Sequence, residues 1–386
     1  MSKTTARTAL AAAALLVLAA GLTAQTVQTA EKDTGIPDKS YKSISPLPIV
    51  MYDGDIGFGY GAKIKMVDYL GKKESFDLIL FNSSKGERWY VFTFSLPDIE
   101  IRQGRTYPIS VDVKAEYDKY LKYAFYGTGP DTVDEDLTKF AHTTKTLQLT
   151  LGHGFSPHLS MELSYALRGL TYEAAADELL APALQPLVDA GSQFVPYASL
   201  ALRYDTSDSQ IHPTRGFRLI LQDDLSKSFL GSQDSDFNRI TLDLRKYMTV
   251  FGDVDVFAVR ALVQYVDGDQ IPFFDLSILG GGGTMSVMRG FSQNRFMDKG
   301  KFLTNIEYRF PILWHTKLIL GMKLGGVVFV DAGTVWPSLS KVDFGKTAVD
   351  YGAGLRIYMP DFVVRVDVGF QPNGKMGLYF NFGHIF

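Results

Sequence analysis

The chain has 386 residues, with 39 lysines and arginines against 42 acidic residues and no cysteine. A net charge of -3 leaves no electrostatic footprint for nucleic acid, and the missing cysteines exclude a disulfide framework. Its 27 phenylalanines, 20 tyrosines and 36 glycines instead suit strands with aromatic faces joined by tight turns.

Residues 1–24 read as a secretory signal peptide. Lys3 and Arg7 form the basic start, 9–20 the apolar run, and Gly21, Leu22, Thr23 and Ala24 the approach to the cleavage point. The apolar run is short of the roughly 20 residues that a spanning helix needs, and no later run reaches that length. Residues 25–45 are expected to be a periplasmic linker and 46–386 a single β-barrel domain. A secreted chain without cysteines, rich in aromatic residues and free of helical spans has the profile of an outer-membrane barrel. A soluble secreted β-protein is the rival, and strand count and strand faces decide between them.

Alternation at period two, broken by Gly, Pro, Asp and Ser clusters, predicts strands at 47–52, 56–68, 75–83, 88–101, 105–118, 139–154, 159–173 and 193–206. A second set follows at 215–226, 236–248, 253–267, 299–312, 317–333, 347–360, 361–371 and 376–386. The total is about sixteen, an even number as in single-chain bacterial barrels. Long connections (119–138, 174–192, 268–298, 334–346) follow odd strands. Short ones such as Phe155-Ser156-Pro157-His158 and Leu313-Trp314-His315-Thr316 follow even strands. That division matches long extracellular loops and short periplasmic turns. The Ala- and Leu-rich stretch 174–187 predicts a short helix within one outer loop, its prolines limiting the length.

The strand faces favour the membrane. Phe302, Thr304, Ile306, Tyr308 and Phe310 oppose Asn305, Glu307 and Arg309; Ile240, Leu242 and Leu244 oppose Thr241, Asp243 and Arg245; Val364, Val366, Val368 and Phe370 oppose Arg365 and Asp367. Paired charges on one face and apolar side chains on the other suit a wet, charged lumen and a lipid-facing exterior. Backbone groups in lipid must all be paired, so such a sheet has to close. The fold class expected is therefore all-β, a transmembrane antiparallel barrel with a loop folded inward between predicted strands eleven and twelve.

That loop carries Gly280, Gly281, Gly282 and Gly283, then Arg289, Gly290 and Phe291, with Arg289 flanked by apolar residues. Glycines allow bends closed to other residues, so the four of them are read as a hinge that folds the loop into a confined space. The strand ending Phe329-Val330-Asp331-Ala332-Gly333 offers one carboxylate. With Val328 and Val330 facing lipid, Asp331 points inward. The chain ends in alternating aromatics: Tyr379, Phe380, Phe382 and finally Phe386. These form a closing strand with the look of the sorting signal read by the outer-membrane assembly machinery.

Arg289-Gly290-Phe291 in its glycine-led loop resembles the signature of the BamA/TamA superfamily, which covers barrel-assembly factors and two-partner-secretion transporters. Four further stretches resemble motifs of that family in the same order. They are Phe125-Tyr126-Gly127-Thr128-Gly129-Pro130-Asp131-Thr132, Tyr204-Asp205-Thr206-Ser207-Asp208 through Pro213-Thr214-Arg215-Gly216, Phe329 to Trp336, and Gly352-Ala353-Gly354-Leu355-Arg356 with Arg365-Val366-Asp367. The resemblance implies that Arg289 reaches into the lumen and pairs with Asp331. A bidentate Arg–carboxylate pair suits a positioning role. In a wet lumen it would be worth about 0–1 kcal/mol, and one more lumen charge pair is the bland alternative. The polypeptide-binding POTRA repeats usual in the family have no room in the twenty or so residues between Ala24 and the first strand, so a barrel-only member is expected.

An enzyme is not expected. The six histidines are dispersed, and Ser286 in the glycine loop has no evident histidine partner. No metal-ligand set and no cofactor motif stands out. The partners implied are outer-membrane lipid and lipopolysaccharide, the assembly machinery during biogenesis, and a polypeptide or lipid client, in the outer membrane of a diderm, Gram-negative-type bacterium. Two functions remain open. The barrel inserts or translocates polypeptide or lipid through a weak seam between its first and last strands, or it is a passive channel or structural surface protein. Pro46, Pro48 and Gly54 around the first strand limit its ladder bonds, as ordinary irregularity at a chain end also would.

Overall fold

The structure, a computed structural model, describes residues 41–53, 57–174, 182, 184–252, 254–314, 322–359 and 362–386. The expected signal peptide and all but the end of the expected linker fall outside the described residues, as does part of the Leu313–Thr316 turn.

The wall begins with β1 (Ser43–Asp53), β2 (Gly57–Val67), β3 (Ser75–Ser83), β4 (Arg88–Leu96), β5 (Tyr107–Phe125), β6 (Thr138–Gly154), β7 (Leu159–Ala174), β8 (Ser192–Phe194) and β9 (Tyr197–Asp205). It continues with β10 (Gly216–Ser226), β11 (Asp236–Thr249) and β12 (Val256–Gln270). A small hairpin, β13 (Ser277–Leu279) with β14 (Phe296–Asp298), follows within a loop. The wall then resumes with β15 (Gly300–Leu313), β16 (Lys323–Trp336), β17 (Ala348–Tyr358), β18 (Val363–Phe370) and β19 (Met376–Phe382). Every wall strand pairs antiparallel with the next. With β8 and β9 counted as one strand interrupted at Val195 and Pro196, and the β13–β14 hairpin set apart, the wall has sixteen strands among the described residues. The fold is the expected all-β antiparallel sheet.

The alternation sorts as the strand chemistry requires. Leu147, Leu163, Val328, Val330 and Phe380 are exposed on the outer face, while Asp243, Arg260, Asn305, Glu307, Arg309, Asp331, Arg356, Arg365 and Asp367 are buried on the inner one. Among the described residues no ladder joins β1 to β19. Side chains meet there instead: Phe382 packs against Ile49, Ile79, Phe81 and Val91 in one apolar cluster, and beside Leu47, Met359, Phe362 and Val364 in another.

Several boundaries differ from expectation, each for a local reason. The strand expected at 88–101 stops at Leu96, because Pro97 and then Asp98 start a one-turn helix, Ile99–Arg102, whose Glu100 N–H donates to the Asp98 carboxylate at 3.0 Å. β5 continues past the expected end at 118 to Phe125, carried over a bulge between Tyr120 and Tyr123. The short helix expected within 174–187 lies at Gln185–Ala190; 175–181 lie outside the described residues. The last strand ends at Phe382 rather than 386. Beyond it, Gly383 (φ 77°) turns the chain, and Ile385 and Phe386 are buried among Tyr247, Val256, Ala258 and Val287.

The two rims are closed differently. At the rim of long loops, Phe273 and Phe274 enter an aromatic cluster with Tyr123, Phe125, Phe140 and Tyr172, the rings of Phe274 and Tyr172 stacked 5.8 Å apart. At the rim of short turns, the 206–215 connection lies across the opening. Ser209 donates to Glu100 at 2.7 Å, Gln103 donates to the Ser207 carbonyl at 2.7 Å, and the His212 ring meets the Met359 carbonyl at 3.0 Å. Asp205 and Asp208 hold this strap in shape, accepting from Arg218 and from the Thr214 N–H.

Candidate functional site

The segment between β12 and β15 folds inward, and its tip is Arg289. Gly280 and Gly281 take φ values of 112° and 89°, conformations that L side chains rarely adopt, so these two residues make the inward bend. Gly282 and Gly283 are not needed for backbone angle. The Gly282 carbonyl serves as an acceptor, taking hydrogen bonds from Arg365 and, at 3.3 Å, from Asn381.

Arg289 and Asp331 meet as a two-pronged pair: Nε to Oδ2 and Nη2 to Oδ1, both at 2.8 Å. The Arg289 backbone N–H also donates to Asp331 at 3.2 Å, and its Nη1 donates to Glu307 at 2.5 Å. The guanidinium carbon lies 3.3 Å from the centroid of the Phe329 ring, on the same strand as Asp331. Around this centre, Glu307 also accepts from Arg309 at 2.8 Å and Arg356 at 3.3 Å. Asp367 accepts from Arg356 at 2.7 Å and Arg365 at 3.0 Å. Asn305 donates to Asp331 at 2.8 Å and to the Val287 carbonyl at 3.1 Å. The loop thus docks onto a lattice of alternating charge built from inward positions of β15, β16, β17 and β18.

The expected wet setting is overturned here. Side chains of Arg289, Glu307, Asp331, Arg356, Arg365 and Asp367 are all 0 % exposed. In a packed site a broken pair leaves a buried charge behind, which costs about 3–5 kcal/mol rather than the 0–1 kcal/mol of a solvated pair.

Space for the tip comes from glycines on both sides of the contact, Gly369 on the wall and Gly290 in the loop. A Cβ added at Gly369 would lie 2.3 Å from the Arg289 carbonyl carbon, and one at Gly290 would lie 2.6 Å from the Asp350 Cβ. Gly290 and Phe291 carry no charge chemistry. Gly290 allows the close approach and offers its carbonyl to Gln371 at 3.0 Å, while Phe291 packs on Phe296 and offers its carbonyl to the Tyr379 hydroxyl. Tyr379 therefore faces the lumen beside the loop, Phe380 faces outward, and Phe382 and Phe386 belong to the apolar clusters described above. The four C-terminal aromatics do not share one face.

Two further anchors of the loop were missed in the sequence. Asp275, fully buried on its first limb, accepts from Arg168 of β7 and from Arg239 of β11 at 2.9 Å. Arg295 on its return limb donates to Asp134 at 2.6 Å and to the Thr132 hydroxyl at 2.7 Å, both in the β5–β6 loop. Only the position of Thr132 within a quoted motif hinted at the second. Ser286 is half-buried, and its hydroxyl donates to the Gly283 carbonyl at 3.5 Å.

A sixteen-stranded wall, outward apolar bands and an arginine-tipped loop in the lumen define an outer-membrane β-barrel. The chain belongs to the Omp85 superfamily, whose domain model matches residues 69–386. Among solved structures it is similar to BamA from Haemophilus ducreyi lacking POTRA domains 1-3, with 15% identity and a TM-score of 0.58 over 89% of this chain and 70% of that one. It is also similar to CdiB from Escherichia coli, at 14% identity and a TM-score of 0.60 over 90% of this chain and 63% of that one. CdiB from Acinetobacter baumannii follows at 12% identity and 0.53, covering 88% and 59%. No curated protein matches the chain.

Proposed function

We propose that this barrel handles polypeptide segments in the outer membrane, passing or inserting them through the seam between β1 and β19. The observation that carries the reading is the contrast in the wall. Fifteen neighbouring strand pairs share ladders, whereas β1 and β19 meet among the described residues through apolar side chains around Phe382. A seam held by side chains separates without breaking a row of backbone hydrogen bonds, whose loss in lipid costs several kcal/mol each. Membership of the Omp85 superfamily and the likeness to BamA and CdiB support the same reading. In it, Arg289 and Asp331 form the latch that keeps the loop docked, Gly280 and Gly281 its hinge, and the aromatics of β19 the moving edge. Lipid is the second client class for such a seam. A passive channel is disfavoured by the packed lumen, where the loop and the aromatic cluster occupy the path.

The test is reconstitution of the full chain into liposomes, with insertion of an unfolded client barrel as readout. Cysteines replacing Ile49 and Phe382, neighbours in one cluster, should abolish insertion when oxidised and restore it when reduced. Undiminished insertion by the oxidised form, or ion conductance with no insertion by the unmodified chain, refutes the proposal.

A further inference from the structure

The outer face of β4 to β7 carries a feature that the seam and the latch do not use. Arg88 on β4 stands directly opposite Lys119 on β5 in the ladder, and Lys145 on β6 pairs with Tyr117, one outward step from Lys119. All three point away from the lumen: Trp89, beside Arg88, turns inward to donate to Glu116 at 3.1 Å, and Arg88 and Lys145 are exposed. Like charges directly opposite on one face of a sheet are destabilising. The outward ladder neighbours of Lys119, namely Tyr90, Tyr117, Thr143 and Lys145, include no acid to offset them. Such a cluster calls for an anion from outside the chain.

The level of the cluster is set by the apolar band below it. The outward positions of β5 from Ile109 to Tyr117 are uncharged, as are those of β6 from Leu147 to Leu151. A span of this kind matches the 9–11 residues of a transmembrane strand. The cations are thus the first charges above the hydrocarbon, on the side of the long loops, where headgroups lie. Tyr90 and Tyr117, stacked 5.7 Å apart, mark the same boundary. Just beneath lies a depression of about 500 Å³, walled by Phe92, Tyr117, Leu147 and Leu167 and floored by Ala115 and Gly169.

Cations over an acyl-sized apolar hollow form a two-part site. We propose that this face docks a phosphorylated, multiply acylated lipid of the outer leaflet, the chemistry of lipopolysaccharide. Its phosphates sit on Arg88, Lys119 and Lys145 and one acyl chain fills the hollow. The proposal rests on the reading of the chain as an outer-membrane barrel with its long loops outside.

The experiment uses the full chain in phosphatidylcholine nanodiscs, titrated with rough lipopolysaccharide, with its dephosphorylated form and with phosphatidylglycerol. Replacing all three cations (R88Q, K119Q, K145Q) should weaken lipopolysaccharide binding at least about tenfold, since each cation adds to the attraction of an anionic surface. Removing the phosphates should weaken binding to the unmodified chain to the same degree. Gly169→Leu fills the hollow without a clash, as a Cβ there meets nothing within 4 Å, and should weaken binding with the cations intact. Equal affinity of the triple variant, indifference to phosphate, or equally tight phosphatidylglycerol binding overturns the assignment. Flotation with liposomes keeps the two readings apart. An unmodified chain that fails to enter the bilayer refutes the barrel reading, whereas one that enters and binds alike with and without the cations refutes only the site.

Discussion

Arg289→Ala is the most informative single change. It removes the guanidinium from Asp331, Glu307 and, 3.8 Å from its Nη1, Asp367, which are not equally dependent on it. Glu307 keeps Arg309 and Arg356, and Asp367 keeps Arg356 and Arg365, but Asp331 is left without a cation, holding only Asn305 and the backbone N–H of residue 289. The expected loss is therefore that of one buried carboxylate stripped of its cation, about 3–5 kcal/mol. At 1.4 kcal/mol per factor of ten, that is about two to three and a half orders of magnitude in the docking equilibrium of the loop. The loop can escape part of the cost by withdrawing, which lets water reach Asp331. Asp275 and Arg295 still tether its limbs, so residues 280–291 should be the part released. Limited proteolysis of the folded, detergent-solubilised chain reads this directly as new cleavage within that stretch. A double-mutant cycle with Asp331→Ala reads it energetically, because removing both partners should cost less than the sum of the two single changes. Unchanged proteolysis together with a coupling energy under about 1 kcal/mol would mean that the pair behaves as a solvated one, and the argument from burial would fail.

Gly369→Val should release the same stretch without touching a charge, since a Cβ there would lie 2.3 Å from the Arg289 carbonyl carbon; normal protease resistance in that variant would contradict the packed docking described. Asp134 supplies a pH dependence. Hydrogen bonds from Lys375 and then from Arg295 hold its carboxyl below the ordinary value of 3.8. A depressed folded value means that the stabilising contribution is fully present above 3.8 and is lost as the pH falls through the lower folded value. The junction between the β5–β6 loop and the inward loop should thus loosen only in strong acid, and only slightly, as Asp134 is about one-third exposed. Hydrogen exchange of residues 131–137 checks this, and loosening already at pH 5 would assign the change to another group.

Much of the wall was legible because period two is a local signal. β3 coincides with its expected limits, 75–83, being closed by glycine and charged turns at both ends. The pairing of Arg289 with Asp331 was legible through motifs and the inward parity of Asp331. What escaped were features set by distant partners. Asp275 and Arg168 are 107 positions apart, and Arg295 and Asp134 are 161 apart, so neither spacing carries a pattern. The upper end of β5 escaped because Lys119 and Lys122 read as loop chemistry, although a strand above the hydrocarbon keeps its ladder while its outward residues turn polar. The dryness of the lumen was illegible for a related reason. Alternation shows that Glu307 and Arg356 face inward but not that a loop will cover them.

The three anchors of the inward loop have a mechanical consequence. They reach β7 and β11 through Asp275, β15 and β16 through Arg289, and the β5–β6 loop through Arg295. The loop therefore braces the cylinder like a set of spokes, stiffening one arc of its circumference against ovalisation. The arc from β1 to β4 lies outside that bracing, so compliance is concentrated beside the seam, and a small twist applied there would be absorbed by the free edge rather than shared around the ring.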